Sequence, residues 1–355
     1  MLTNAKSTLI TVLFLSVGCS AVSEKELLLF PVKEQINKIE SVTITPERTL
    51  IESLNLMGFE AYDDKLIATA DFSTDHFLEV MDLSSGVVLH QLCRKGRGPG
   101  EFLDISPLFS IEGESIIVYD AETGKMAEVS VDGGSPGAVT HQVKIESSEE
   151  GVSPIIMSSY KVTEEEVIAY NSIQGSPEFI GIENPYYAFY DWNSGKETRS
   201  VVLFDAAPVK DVPGEMWMSA FELRDCINSR KTTVCFGMHS MPVLGFIDIR
   251  TGQVTGFRLK GEPAFSVKEP KLCFTGICAQ DRYIYALYFG KANNDYNPET
   301  GKSVLYKIDW DGNVLKKYEL DGLYRSCCST SDKLYLSKIE ADYSIKLYQL
   351  NINDL

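Results

Sequence analysis

The sequence predicts an all-β chain folded as a six-bladed β-propeller, on the strength of a recurring turn, a repeated strand pattern and an incomplete last unit. The turn reads Asp-x-x-Ser/Thr-Gly and recurs every 50 to 61 residues. In such a turn the aspartate bonds nearby backbone N–H groups, and the glycine supplies the positive φ that closes a hairpin. A similar segment, Asp120–Gly124, falls out of phase and is assigned to a different hairpin. Full in-phase copies begin at Asp82, Asp191 and Asp248, and shorter equivalents, Asp132-Gly133-Gly134 and Asp309-Trp310-Asp311-Gly312, occupy the same phase.

The strand pattern is clearest in residues 271–320, where four runs rich in β-branched and aromatic residues are separated by Gly, Asn and Asp. Four antiparallel strands of this kind make one propeller blade. Two β-sandwiches are the alternative, but no linker rich in Pro, Gly or Ser divides the chain at its middle. Comparable units begin near residues 54, 102, 152, 216, 271 and 323, which gives six blades.

The last unit offers only three strands, in residues 325–330, 333–339 and 344–351. A spare strand, Ser41–Thr45, lies near the other end of the chain. We expect this N-terminal strand to pair with residues 344–351 and close the last blade, because closure removes two open sheet edges.

The overall charge excludes one class of partner. The chain carries 33 basic and 50 acidic residues, a formal net charge of −17, without a run of Lys or Arg. Such a surface repels phosphate backbones, so we expect no nucleic-acid partner.

The cysteines and histidines give no sign of a metal site. Seven cysteines follow Cys19 without a CxxC pair, and the four histidines are scattered without ligand spacing. Buried thiols are the expected outcome, with one disulfide left open if the chain is exported. We expect no metal and no cofactor.

The N-terminus has the features of an export signal. Lys6 precedes a short apolar run from Leu9 to Leu15, and Gly18 directly precedes Cys19. This arrangement resembles the lipobox of bacterial lipoproteins, in which the cysteine thiol is acylated. An ordinary cleaved signal peptide or a buried helix are the alternatives. The predicted organisation is a lipoprotein signal peptide (1–18), a tether (19–39) and the propeller domain (40–355), with lipidation at Cys19.

A glycine-rich segment carries a family resemblance. Gly96-Arg97-Gly98-Pro99-Gly100-Glu101-Phe102 lies between the outer strand of one predicted blade and the inner strand of the next. Together with the Asp309-Trp310-Asp311-Gly312 segment, it resembles the TolB-like six-bladed propeller lipoproteins of Bacteroidetes, which are similar to NHL repeats. The resemblance implies a cell-envelope protein, on the outer membrane and either periplasmic or surface-exposed. It implies a binding role and transfers no catalytic residues.

A structural purpose is favoured for the glycine-rich segment, because it precedes a strand and therefore presents no helix N-terminus to an anion. Glu101 is expected to accept backbone N–H bonds, and Phe102 to fill the gap between blades. The basic residues Arg94, Lys95 and Arg97 either attract an anionic ligand or pair with neighbouring carboxylates.

Long insertions predict a binding face. They fall between second and third strands or between blades, and in a propeller these connections emerge on one face. Aromatic and neutral polar side chains there suit a glycan or a peptide. The candidate ligand-binding residues are Arg94, Lys95, Arg97, Glu101, Asn184, Tyr186, Trp217, His239, Asn293 and Tyr296.

The favoured function is therefore a non-enzymatic binding scaffold, anchored to the membrane by lipid and engaging a glycan, a peptide or an envelope protein. The alternative is a metal-dependent hydrolase or lyase that uses the central channel, as lactonase-like propellers do. Inner strands would have to supply its ligands, and the candidates there are Glu60, Asp104, Glu222, Asp225 and Asn228.

Overall fold

The computed structural model describes residues 22–35, 39–51, 58–133, 138–146, 154–172, 184–209, 220–262, 265–266, 269–292, 295 and 297–355. The chain forms six antiparallel sheets whose inner strands contact one another in sequence. This arrangement confirms the predicted six-bladed propeller. Among the described residues, no helix is both long and apolar enough to cross a bilayer.

The N-terminal segment consists of four short elements that precede the blades. They are helix α1 (Glu24–Leu27) and strands β1 (Val32–Gln35), β2 (Ser41–Ile44) and β3 (Glu47–Arg48).

In every blade the strands from β4 onward run in chain order from the innermost strand outward. Blade 1 consists of β4 (Phe59–Tyr62), β5 (Lys65–Thr69), β6 (His76–Asp82) and β7 (Val88–Arg94). Blade 2 consists of β8 (Ser110–Glu112), β9 (Ser115–Asp120), β10 (Lys125–Ser130) and β11 (Val139–Lys144). Blade 3 consists of β12 (Ile156–Lys161), β13 (Glu166–Asn171), β14 (Tyr186–Asp191) and β15 (Glu197–Val202). Blade 4 contains β16 (Leu223–Ile227), β17 (Thr233–Met238), β18 (Val243–Asp248) and β19 (Val254–Leu259). Blade 5 contains β20 (Lys271–Ala279), β21 (Tyr283–Ala292), β22 (Val304–Asp309) and β23 (Val314–Leu320). Blade 6 contains β24 (Tyr324–Ser329), β25 (Lys333–Ile339) and β26 (Ile345–Asn351). Two single-turn 3₁₀ helices, Ala207–Val209 and Ile352–Asp354, complete the elements.

The N-terminal segment closes the ring, but not with the predicted strand. Ser41–Thr45 was expected beside residues 344–351, whereas β2 pairs in parallel with β23 of blade 5. The strand that completes blade 6 is the two-residue β3, which pairs antiparallel with β26. Alternation of side chains identifies a strand without naming its partner, and β3 is too short to show alternation. Within the segment predicted as a tether, β1 forms a parallel fifth strand on β19 of blade 4.

The recurring turns have the predicted chemistry. Asp191 and Asp248 each accept the backbone N–H three residues later at 2.7 Å, and Gly195 has a φ of 73°. A side chain at Gly195 would collide with the carbonyl oxygen of Lys144, at the end of the preceding blade's outer strand. Positive φ and close packing together require glycine here. The out-of-phase turn after Asp120 joins β9 to β10, the second and third strands of blade 2.

The cysteines pack in the core. All seven that follow Cys19 are buried and free, as predicted for thiols that act as small apolar groups. Burial raises the pKa of Cys273 to about 12, which keeps its thiol protonated and unreactive.

Candidate functional site: the central channel

A cavity of about 230 Å³ occupies the central channel, and residues from all six blades line it. Most of them lie at or just before the start of an inner strand. Its lining residues are Gly58, Phe59, Glu60, Pro107, Leu108, Phe109, Met157, Ser158, Ser159, Tyr160, Glu222, Arg224, Asp225, Thr275, Gly276, Ile277, Arg325, Ser326 and Cys327.

Irregular pairing places several of these side chains at the channel. The register between inner strand and second strand shifts around Met157 in blade 3, around Thr275 in blade 5 and around Arg325 in blade 6. A bulged residue lacks a partner in the ladder and turns away from strict alternation. Bulges of this kind are common next to functional sites.

Glu60 is an acid held neutral at physiological pH. Its side chain keeps some surface on the channel, although protein surrounds it. Burial, and secondarily repulsion from Asp225, raise its pKa from 4.5 to about 8. The described part of the chain gives the Glu60 carboxyl no hydrogen-bond partner, so at pH 7 it presents an O–H donor to the cavity.

Asp225 is bound by three hydroxyl groups. Its Oδ2 accepts hydrogen bonds from the Ser158 hydroxyl and the Tyr187 hydroxyl, each at 2.6 Å, and its Oδ1 accepts one from Tyr160 at 2.9 Å. Burial raises the pKa of Asp225, while these three bonds oppose the rise. The cage fixes this carboxylate between blades 3 and 4.

Glu222 is a charged acid whose charge is already balanced. Arg224 Nη2 donates to its Oε1 at 2.8 Å, and His239 Nδ1 lies 3.0 Å from its Oε2. Burial alone would raise the pKa of Glu222, but the contacts with His239 and Arg224 lower it to about 2. The carboxylate therefore stays ionised with its partners within the protein.

Two channel residues are left with binding capacity. Arg325 is exposed at the channel and has no ion pair with any described residue. Thr275 is only 4% exposed, and its hydroxyl has no hydrogen-bond partner among the described residues. An unpaired buried hydroxyl costs about 1–3 kcal/mol, and Thr275 is one of the residues that line the cavity.

The propeller fold recurs in a solved structure of low sequence identity. No protein-family model matches this chain, and no curated protein matches it. A solved structure of a DUF4221 family member from Bacteroides vulgatus superposes with a TM-score of 0.59 at 12% identity, covering 93% of this chain and 96% of that one. The fold is shared. A protein of Bacteroides fragilis described as exported has a TM-score of 0.49 at 11% identity, covering 93% and 97% of the two chains.

Three of the four predicted binding residues of the glycine-rich segment, Arg94, Lys95 and Glu101, are engaged within the protein. Arg94 lies 3.9 Å from Asp75 and 3.7 Å from Glu101, so it pairs with carboxylates. Lys95 Nζ donates to two backbone carbonyl groups, at 2.8 and 3.2 Å. Glu101 accepts the Gly98 N–H at 2.7 Å, and Arg97 is exposed.

The other predicted rim residues are dispersed. The Asn184 side chain accepts the Ala206 N–H at 2.9 Å, and the Tyr186 hydroxyl donates to Glu197 at 3.4 Å. His239 adjoins the channel through Glu222. Trp217, Asn293 and Tyr296 lie outside the described residues.

The acids required by the hydrolase alternative do not all meet. Glu60, Glu222 and Asp225 line the channel, whereas Asp104 is exposed elsewhere. Asn228 accepts the N–H groups of Thr232 and Thr233 in the β16–β17 turn. Among the described residues, no three His, Cys, Asp or Glu side chains lie close enough to hold a metal ion.

Proposed function

We propose that this chain is a non-enzymatic binding propeller of the outer membrane, lipid-anchored at Cys19, whose central channel binds the end of a glycan that carries a carboxylate. The observation that carries the proposal is the cavity itself, with an unpaired Arg325 and a neutral Glu60 at its wall. A concave site with a few convergent polar groups is the usual form of a ligand site.

The volume of the cavity limits the ligand. At about 30 Å³ per water molecule, a space of 230 Å³ holds about seven or eight waters. That is enough for one sugar ring or one side chain inside the channel. The channel would therefore take a terminal unit while the rest of the glycan extends across the face.

The chemistry of the wall favours a sugar acid. The Arg325 guanidinium suits a carboxylate, which it can bind through two parallel N–H bonds. Glu60 offers an O–H donor and the Thr275 hydroxyl both a donor and an acceptor, and these suit ring hydroxyls. A peptide carboxyl terminus offers the same carboxylate but has no ring hydroxyls, so peptide binding is an outcome that the test must distinguish.

Calorimetric titration tests the ligand class with three probes: glucuronate, glucose and an acetylated dipeptide. We expect glucuronate to bind at least tenfold more tightly than the other two, and Arg325→Ala to weaken it about tenfold. The matched control is Arg250→Ala, in the exposed turn after Asp248. Equal affinities for glucose and glucuronate would contradict recognition of the sugar carboxylate. Tighter binding of the dipeptide would show that the ligand is a peptide and not a glycan.

Lipidation is tested by growing cells with an alkyne fatty acid. We expect label on the wild-type chain and on Ser20→Ala, and none on Cys19→Ser. Undiminished label on Cys19→Ser would refute the anchor.

The second candidate is the metal-dependent hydrolase, favoured by the neighbouring acids Glu60 and Asp225 in the channel. Elemental analysis of the purified protein decides between the two functions. One divalent ion per chain, lost in Glu60→Gln, would support the hydrolase and overturn the non-enzymatic proposal.

A further inference from the structure

The segment that follows Cys19 is held firmly against the propeller. Leu27 of α1 is completely buried in a core cluster with residues of blades 3 and 4. The Glu24 carboxylate accepts a hydrogen bond from Arg258 Nε at 2.9 Å and another from the Phe265 N–H at 3.0 Å. Such a partly buried, charge-assisted contact fixes the helix in position.

The backbone adds to this attachment. The Leu27 carbonyl accepts the Asp205 N–H at 2.9 Å, and the Leu29 N–H donates to the Leu203 carbonyl at 3.0 Å. Val22, the first described residue, already packs against the same core cluster. The chain is thus attached to blades 3 and 4 from Val22 onward.

The distance from Cys19 to this attachment is short. Only Ser20 and Ala21 separate Cys19 from Val22. Three residue steps span at most about 11 Å even when fully extended. An acyl chain on Cys19 would therefore insert into a bilayer that lies within about 11 Å of Val22.

We propose that the outer margin of blades 3 and 4 faces the lipid surface, an inference that rests on the proposed lipid anchor. Two apolar side chains on this margin are exposed, Leu29 at 55% and Val202 at 45%. Leu29 is bonded through its backbone to Leu203, the chain neighbour of Val202, and both exposed side chains would enter the interfacial region. The net charge of −17 favours zwitterionic lipid over anionic lipid.

The ring supplies its own control. In a six-bladed ring, blade 1 lies opposite blade 4, so its outer strand β7 would point away from the bilayer. Val88 and Leu89 on β7 are exposed to a similar degree, 44% and 49%. Exposure alone therefore does not separate the two pairs, whereas the proposed orientation does.

The experiment uses the full acylated chain in phosphatidylcholine–phosphatidylethanolamine vesicles. A fluorophore is placed on a single introduced cysteine at Leu29, Val202, Val88 or Leu89, since the seven cysteines of the described core are buried. We expect a spin-labelled lipid to quench the first two positions at least threefold more than the last two. A twenty-residue Gly-Ser insertion between Ala21 and Val22 should remove this difference while the chain stays on the vesicles.

Two failures are distinguishable. Equal quenching at all four positions of an acylated, vesicle-bound chain would overturn the orientation and leave the anchor standing. A chain that carries no acyl group and stays in solution would overturn the anchor and the orientation together.

Discussion

The glycine-rich segment Arg94–Phe102 and the central channel both gather charged side chains, yet they use them differently. In the segment, Arg94 and Glu101 pair with each other, and Glu101 also accepts a backbone N–H. In the channel, Arg325 has no ion pair with a described residue, and Glu60 is a neutral acid. Polar groups that form their hydrogen bonds and ion pairs within the protein stabilise its fold. Polar groups that line a cavity without such partners are available to bind a ligand.

The largest effect should follow from a change in the segment, and it should be an effect on folding alone. Phe102 is 1% exposed and packs with core residues of blades 1 and 2. We expect Phe102→Ala to lower the free energy of unfolding by about 3–5 kcal/mol, because it opens a cavity between the blades. Urea unfolding measures the loss, and the affinity of the folded fraction for glucuronate should be unchanged. A loss of glucuronate affinity without a loss of stability would contradict a purely structural role for the glycine-rich segment.

The next effect is a pH dependence that belongs to the channel. The pKa of Glu60 is about 8 in the folded protein, against 4.5 as the ordinary value. The stability contributed by the neutral acid is complete below pH 4.5 and is lost as the pH rises to 8. Because glutamine cannot ionise, we expect Glu60→Gln to gain stability relative to the wild type as the pH rises from 5 to 8, by on the order of 4 kcal/mol, and the gain to level off above pH 8.

Unfolding curves at several pH values test this prediction, and Glu222→Gln is the matched control. The pKa of Glu222 is lowered to about 2, so its ionised form stabilises the folded protein throughout the same range. The control should be less stable than the wild type throughout this range, without the gain that Glu60→Gln shows as the pH rises. A Glu60→Gln difference that does not vary with pH would contradict a neutral Glu60.

A smaller effect separates binding from folding at Thr275. Its hydroxyl is buried without a partner, so Thr275→Val should leave stability unchanged or raise it by about 1 kcal/mol. The same variant should weaken glucuronate binding about threefold. Tyr285→Phe removes another unpaired buried hydroxyl outside the channel and should leave affinity unchanged. Equal affinities for both variants would exclude Thr275 from the site.

The smallest effect is expected at Arg94. Its side chain is 54% exposed and its two ion-pair contacts are long, at 3.7 and 3.9 Å. Exposed pairs of this kind contribute little, so Arg94→Gln should change the free energy of unfolding by less than about 0.5 kcal/mol. Arg94→Gln should leave the affinity for glucuronate unaltered. A tenfold loss of affinity would show that the ligand binds at the glycine-rich segment.

The sequence predicted those parts of the fold that depend on local chemistry. The Asp-x-x-Ser/Thr-Gly turns could be identified because an aspartate cap and a positive-φ glycine act within five residues. The partner of Ser41–Thr45 could not be identified, because β2 pairs with the outer edge of blade 5, which is distant in sequence. Ring closure was predicted correctly, but through the wrong strand.

The channel was only partly predictable for a similar reason. Glu60, Glu222 and Asp225 were recognised as inner-strand acids, but Arg325 and Thr275 were missed. Both lie where the register shifts, and alternation alone does not show which way a bulged side chain points. A charged residue directly after a buried tyrosine, as in Tyr324-Arg325, was the available signal.

A crystal structure of the complex with glucuronate tests most directly whether the ligand binds in the central channel or at the rim, the face on which the long insertions were predicted to lie. The account predicts a sugar ring inside the channel, with its carboxylate bonded to Arg325 and a ring hydroxyl beside Glu60. A ligand bound at the rim near Asn184 and Tyr186, with the channel holding none, would contradict it.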